Sequence, residues 1–160
     1  MTAAVASVTG LVKRFAGQDS PALDGVSLSI RPGRITGLVG PDGAGKTTCI
    51  RIMAGLMAAD AGELDILGGP PGSNLADLGY MPQRFGLYED LTVRQNLDLY
   101  AEMRALPEAE RAATYARLLA FTDLARFEGR LAGKLSGGMK QKLGLACALV
   151  TDFTALLVVR

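Results

Sequence analysis

The stretch "GPDGAGKTT", residues 40–48, decides the fold, because it packs three glycines and a lysine into a short turn after an apolar run. That run, residues 35–39, predicts a β-strand. The residues that follow, 45–57, predict a helix, since apolar side chains recur at helical spacing. They are Ile50, Met53, Ala54 and Met57. The sequence therefore predicts a strand, a glycine-rich turn and the start of a helix.

The turn fits the pattern G-x-x-x-x-G-K-[ST], which is typical of a phosphate-binding loop. Glycine permits backbone N–H groups to turn inward and approach a polyphosphate, and a helix N-terminus adds further donors. Lys46 would meet the β- and γ-phosphates, Thr47 would offer its hydroxyl to Mg²⁺, and Thr48 would donate to phosphate. The predicted nucleotide-binding residues are Gly40, Pro41, Asp42, Gly43, Ala44, Gly45, Lys46, Thr47 and Thr48. We expect a nucleoside triphosphate here.

Composition limits the class of protein. The chain has 160 residues, 49% of them hydrophobic, which is enough for one globular domain. Its 17 basic and 16 acidic residues give a net charge of +1, so no global field attracts nucleic acid and none is expected as a partner. Cys49 and Cys147 lie in apolar stretches and should be buried and reduced. The chain shows no secretory signal or membrane-spanning stretch, so we expect a cytosolic protein.

The rest of the chain predicts an α/β core with a helical insertion near residues 84–133. Strand-like segments fill residues 5–39, and two more follow at 63–67 and 78–81. Thr92 and Gln95 fit a capping box at the start of a helix that runs towards Arg104. Further predicted elements are a helix with Pro107 in its first turn, a helix from Ser136 towards Val150, and a buried parallel strand at 155–159.

A second short stretch, "LSGGMKQK" at residues 135–142, opens the last of these helices. Ser136 and the two glycines could simply cap the helix. The free N–H groups of the same turn could instead receive a second anion.

With these motifs in place, the chain resembles the nucleotide-binding domain of ABC transporters over nearly its whole length. "GPDGAGKTT" is similar to the Walker A loop, "YMPQ" with Gln83 to the Q-loop, and "LSGGMKQ" to the family signature. The amino-acid sequence around the Walker A loop and the Q-loop looks closest to that of ABC-2 type multidrug exporter ATPase subunits. The resemblance implies a P-loop NTPase core, with an N-terminal antiparallel β part, at residues 1–83 and 136–160. It also implies a helical subdomain at about 84–135.

The resemblance also implies roles for single residues. Phe15 would stack on adenine, although an aromatic there could equally be a core or edge residue. Gln83 would act catalytically with Lys46, contact Mg²⁺ and the attacking water, and report to a membrane permease, although it could be an ordinary loop residue. The signature would contact ATP held by a second such domain in a head-to-tail dimer. Its residues are Leu135, Ser136, Gly137, Gly138 and Gln141.

Phe85, Leu87 and Tyr88 form an apolar cluster after Gln83. On the transporter interpretation they line a groove that receives a short helix of the permease, which would place the domain in the cytoplasm at the inner face of the membrane. They could also be core residues under a loop.

The residues around the last predicted strand depart from the family pattern. The family places an Asp-Glu pair there, but Val159 and Arg160 occupy those positions, and Phe153 stands where proline is usual. The switch histidine is absent, and the chain contains no histidine at all. We therefore expect a domain that is C-terminally incomplete, through a frameshift or premature stop or as a natural short variant with a regulatory role, and its own hydrolysis is doubtful.

These observations leave three functional hypotheses. The first is the ATP-hydrolysing subunit of a membrane exporter, represented by its N-terminal part. The second is a non-catalytic module that binds ATP or docks on a partner without turnover. The third, an ABC-type ATPase of DNA repair or translation, is disfavoured because no long charged coiled-coil insertion lies between residues 57 and 135.

Overall fold

The computed structural model describes residues 4–82 and 86–159, and these form two compact units. The first unit contains the described residues up to Leu78 together with Thr154–Val159. The second contains those from Gly79 to Phe153. Gln83, Phe85 and Arg160, which carry sequence predictions, lie outside the described residues.

Strands dominate the first unit and helices dominate the second. The first unit contains β1 (Ala6–Lys13), β2 (Leu23–Ile30), α1 (Lys46–Met53), β3 (Ala61–Ile66) and β5 (Ala155–Val158). The division between the units falls at the start of β4 (Leu78–Met81). The second unit contains α2 (Val93–Met103), α3 (Glu108–Thr122) and α4 (Gly137–Ala148). Short 3₁₀ turns lie at Leu75–Asp77, Ala125–Phe127 and Ala132–Lys134.

The first unit contains a three-stranded antiparallel sheet in the order β2-β1-β3, which confirms the predicted N-terminal β part. The register of β1 shifts between Val8 and Leu11, where Gly10 has a φ of +61°. The Gly10 N–H donates to the Ser27 Oγ at 2.9 Å. A side chain on Gly62 would come within 2.7 Å of the Leu11 Cα, so glycine lets β3 approach β1 at this bulge.

One face of this sheet packs with α1. Val8 and Leu11 of β1 are buried together with Ile66 of β3. Helix α1 contributes Cys49, Ile52 and Met53. Of the apolar residues predicted to share one helical face, Met53 and Ala54 are buried and Ile50 is only partly buried, whereas Ile52, outside that set, is also buried. The helix ends at Met53 because Ala54 and Gly55 close its last turn.

The second unit has its own core between three helices. Val93, Leu97 and Ala101 repeat every four residues along α2 and are fully buried. Helix α3 adds Tyr115, Leu118 and Leu119, and α4 adds Leu143, Ala146 and Cys147. The predicted capping box is confirmed, since the Gln95 N–H donates to the Thr92 Oγ1 at 3.1 Å and the Thr92 N–H to the Gln95 Oε1 at 2.9 Å.

The predicted strand over residues 35–39 is wrong, because this segment forms neither helix nor strand. A strand needs backbone partners, and none of the described residues forms a ladder with this one. Val39 is consequently 90% exposed, and Ile35 is fully exposed.

The predicted final strand forms at Ala155–Val158, but it is only half-buried, and Val158 is 41% exposed. The expectation of full burial on both faces is therefore wrong. The Thr154 N–H donates to the Asp77 carbonyl at 2.9 Å and fixes the start of β5 within the first unit.

Within the described ranges, no helix has the length and apolar character needed to cross a lipid bilayer.

Candidate nucleotide-binding site

The turn before α1 depends on glycines at two positions. Gly43 has a φ of +81° and Gly45 a φ of +80°, a region that other residues rarely adopt. Gly45 is also tightly packed, since an added Cβ would overlap the Ala22 carbonyl oxygen and lie 2.7 Å from a Leu23 methyl group. Both conformation and packing therefore require glycine at residue 45, where the helix begins.

The N-terminus of α1 presents backbone donors without internal partners. The Cys49 N–H closes the first helical bond by donating to the Gly45 carbonyl at 2.9 Å. In the described chain, no group accepts from the N–H groups of Lys46, Thr47 and Thr48, and no side chain caps the helix. The first turn also carries no acidic residue. These donors and the positive end of the helix dipole fit an anion such as phosphate.

Lys46 brings a cation to the same turn. Its Nζ donates to the Gly40 carbonyl at 2.8 Å and to the Pro41 carbonyl at 2.7 Å. The ammonium thus lies over the first two peptides of the loop. Thr47 and Thr48 are partly exposed, so their hydroxyls can be reached from solvent. The residues of the loop therefore fit a polyphosphate with its cation, as the motif predicts.

Phe15 follows β1 and is partly exposed. The Lys13 Nζ lies 5.8 Å from the centre of its ring. Asp60 fixes this end of β1, since it accepts from the Lys13 Nζ at 2.8 Å and from the Arg14 N–H at 2.6 Å. The lysine hydrogen bond, followed by the Arg14 N–H, lowers the pKa of the Asp60 carboxyl. Stacking of Phe15 on adenine stays a prediction.

The signature turn, residues 135–138, lies in the second unit. Ser136 caps α4, since its Oγ accepts from the Met139 N–H at 3.3 Å. Leu135 is buried, whereas Ser136, Gly137 and Gly138 are exposed. The simple capping interpretation is therefore confirmed for the serine, but it does not account for the glycines.

Among the described residues, neither packing nor backbone conformation explains Gly137 and Gly138. A Cβ at either position would meet no described atom within 4 Å, and neither residue has a positive φ. Glycine inside a helix costs about 1 kcal/mol relative to alanine. The open space around this pair leaves the backbone of residues 137 and 138 accessible to another molecule.

The loop after the Gln83 segment, residues 86–92, is held by a buried side chain. Asn96 is fully buried; its Oδ1 accepts from the Tyr88 N–H at 2.9 Å, and its Nδ2 lies 3.0 Å from the Tyr88 carbonyl and 2.9 Å from that of Thr92. Leu87 packs partly on the core of the second unit, while Tyr88 is 54% exposed. Of the predicted groove, one residue thus contributes to the core and one faces solvent.

The two thiols do not contribute reactive groups. Cys49 and Cys147 are free and buried, as predicted. Burial raises the pKa of both, and that of Cys147 to about 12. Neither is a thiolate at neutral pH, so neither acts as a nucleophile.

At the end of β5, Val159 is buried and offers no carboxylate. Asp152, the nearest preceding acidic residue, is exposed and lies before the strand begins.

Two residues that the sequence analysis did not identify organise the second unit. Asn96 holds the loop 86–92, and Glu89 contacts the segments on both sides of Ser136. Asn96 could have been noticed, because it shares the apolar face of α2 with Val93 and Leu97. No local sequence pattern could have identified Glu89, because the residues that it contacts are distant in sequence.

Comparison with known proteins identifies the family. A family model described as "ABC transporter" matches residues 23–158. The "Probable multidrug ABC transporter ATP-binding protein YbhF" of Escherichia coli (strain K12) is 56% identical over 99% of this chain. The chain spans only 28% of the length of that relative.

Solved structures agree with this assignment. A structure of the ATP-binding subunit of an ABC transporter is 31% identical, with a TM-score of 0.78 over 91% of this chain and 62% of its own. An ATP-binding cassette of an ABC transporter in its ADP conformation is 27% identical, with a TM-score of 0.81 over 97% of this chain and 68% of its own. The chain therefore belongs to the ABC transporter family and has the α/β fold of its P-loop ATPases.

Proposed function

We propose that this chain is the ATP-binding part of an ABC exporter subunit of the multidrug type, which couples ATP binding and hydrolysis to transport. The observation that carries the proposal is the uncapped N-terminus of α1, where free N–H groups and Lys46 lie beside a turn that requires glycine. The name of the 56% identical YbhF relative supports the multidrug type.

Within this proposal the loop residues have separate roles. The N–H groups of 46–48 and the Lys46 ammonium bind the β- and γ-phosphates. The Thr47 hydroxyl, together with Gln83, holds Mg²⁺, and Phe15 stacks on the adenine. When bound, Mg²⁺ neutralises charge on the phosphate oxygens. Lys46 and Gln83 are the residues of this chain to which we assign catalytic roles.

We further propose that the signature turn binds ATP held by a second copy in a head-to-tail dimer. Its open glycines leave the backbone of residues 137 and 138 accessible to a phosphate. A transmembrane permease is the other proposed partner, and it would hold the domain at the cytoplasmic face of the membrane. The division into a core at 1–83 and 136–160 and a helical subdomain at 84–135 remains part of this proposal.

A second candidate function is an ATP-binding module without turnover. It is favoured by one observation, namely that buried Val159 follows β5 where the family places a carboxylate. Phosphoryl transfer depends on such placed charges, so binding could persist when hydrolysis is lost.

The test is a calorimetric titration of ATP and Mg²⁺ into the full chain and two lysine variants. We expect Lys46→Ala to weaken binding by at least about 10-fold, because a charge-assisted contact to phosphate is lost. Lys142→Ala removes an equal charge from an exposed position on α4 and should leave the affinity unchanged. Equal affinity in the Lys46 variant would show that the loop is not the site. Release of phosphate by the wild type but not by Lys46→Ala would exclude the module without turnover.

A further inference from the structure

We propose that Glu89 is a positioning residue that holds the signature turn from both sides, and this proposal rests on the proposed function of that turn. Glu89 belongs to the loop 86–92 and therefore lies far from the signature in sequence. Its backbone carbonyl accepts from the Gly133 N–H at 2.9 Å, and its Oε1 accepts from the Lys140 Nζ at 2.6 Å. Gly133 precedes Ser136 and Lys140 follows it, so one residue joins both flanks of the turn. We call these two contacts the Glu89 clamp.

The backbone half of the clamp depends on close approach. A Cβ at Gly133 would lie 2.9 Å from the Glu89 carbonyl oxygen, so a larger residue would push the two segments apart. Next to it, the Ala132 N–H donates to the Leu91 carbonyl at 2.8 Å. The Leu135 N–H then donates to the Ala132 carbonyl at 3.1 Å. Hydrogen bonds thus run without a break from the loop 86–92 to the first residue of the signature turn.

The clamp has a rigid base. Asn96 is fully buried on α2 and bonds to both the N–H and the carbonyl of Tyr88, the residue before Glu89. The Asn96 Nδ2 also lies 3.3 Å from the Leu91 carbonyl. Because residues on both sides of Glu89 are fixed to α2, Glu89 can hold the N-terminus of α4 at a defined position.

The charged half of the clamp lies on the first turn of α4. The Lys140 side chain is 23% exposed and that of Glu89 is 66% exposed, so the pair contributes little to folding stability. Its effect is instead on geometry, since the Gly137 and Gly138 backbones must meet a phosphate at hydrogen-bond distance. A shift of about 1 Å is enough to weaken such a contact.

The experiment measures dimerisation of the full chain by sedimentation velocity in ATP and Mg²⁺, with ATP affinity and melting temperature measured in parallel. We expect Glu89→Gln to raise the dimer dissociation constant about 2- to 25-fold, because a dimer contains two clamps and each exposed pair contributes a factor of about 1.5–5. The ATP affinity and melting temperature should not change. Glu102→Gln, which removes an equally exposed ion pair to Arg111, is the matched control and should dimerise as the wild type does.

A double-mutant cycle separates positioning from direct contact with nucleotide. If Glu89 acts through Lys140, the double variant Glu89→Gln/Lys140→Gln should dimerise no more weakly than Lys140→Gln alone. Additive losses, unchanged dimerisation in Glu89→Gln, or a parallel loss of ATP affinity would each overturn the clamp. Ser136→Arg should abolish dimerisation while sparing ATP binding. If the wild type does not dimerise at all, the proposed signature function fails, which is a different result from a failed clamp.

Discussion

At the scale of single residues, two glycines of this chain differ in whether backbone conformation and packing require them. Gly45 is required by its positive φ and by contacts with Ala22 and Leu23. Gly137 is required by neither. A sequence motif treats these glycines alike, whereas the structure shows which one supports the fold and which one leaves room for another molecule.

A first prediction follows for Gly45. Replacing it with alanine should lower the free energy of unfolding by about 2 kcal/mol or more, because the new Cβ is strained at this φ and overlaps the Ala22 carbonyl. Urea denaturation measures the change. Gly40→Ala is the control, since its Cβ would lie an ordinary 3.5 Å from that of Ala44. Equal stability of the two variants would contradict the packing described for the turn.

At the scale of elements, α2 is organised around a polar side chain in an apolar face. Asn96 is buried between Val93 and Leu97, and its amide satisfies backbone groups of the loop 86–92. The helix and the loop therefore form one structural element, although only the helix has regular hydrogen bonding.

A second prediction concerns this element. Asn96→Ala should cost about 2–4 kcal/mol, because the backbone groups it now satisfies would be left without partners. Gln95→Ala removes only one half of the capping box and should cost about 1 kcal/mol. Thermal denaturation of both variants gives the comparison. Losses of equal size would show that the buried amide does not hold the loop.

The elements could be predicted from sequence where the signal is local. The capping box at Thr92, the limits of β4 and the start of α4 at Ser136 each depend on a few neighbouring residues, and all are confirmed. The segment 35–39 was predicted wrongly because an apolar run indicates burial but cannot supply the neighbouring strand. Glu89 was missed for the same reason, since its partners lie 44 and 51 residues away, at Gly133 and Lys140.

At the scale of the whole molecule, each of the two compact units has its own core, and a buried cysteine lies in each. Both thiols hold their protons more tightly in the folded chain than in the unfolded one. Stability should therefore depend on pH in the alkaline range even though the net charge is near zero.

A third prediction follows from Cys147, whose pKa burial raises to about 12. The unfolded thiol has a pKa of about 8.5, so its contribution to stability is complete below that pH and falls by about 1.4 kcal/mol per pH unit above it, until about pH 12. Urea denaturation between pH 8 and pH 10 should show the decline.

Cys147→Ala is the control for this decline, because it removes the titrating group with a small loss of volume. Its stability should fall less steeply over the same range. Tyr115, whose pKa is raised to about 12 by burial and by the nearby Asp98 carboxylate, adds a decline only above about pH 10 in both proteins. Identical pH profiles for the two proteins would show that the thiol does not contribute.

The exposed segment 35–39, which precedes the nucleotide loop, has a consequence for how this chain meets other polypeptides in a cell. Ile35 and Val39 are exposed on a backbone without ladder partners, and only Arg31 and Arg34 bring charge to this region. Such segments template intermolecular β-pairing and are recognised by chaperones and degradative proteases. Exposure of residues 35–39 therefore favours intermolecular pairing of this polypeptide independently of the stability of its two cores.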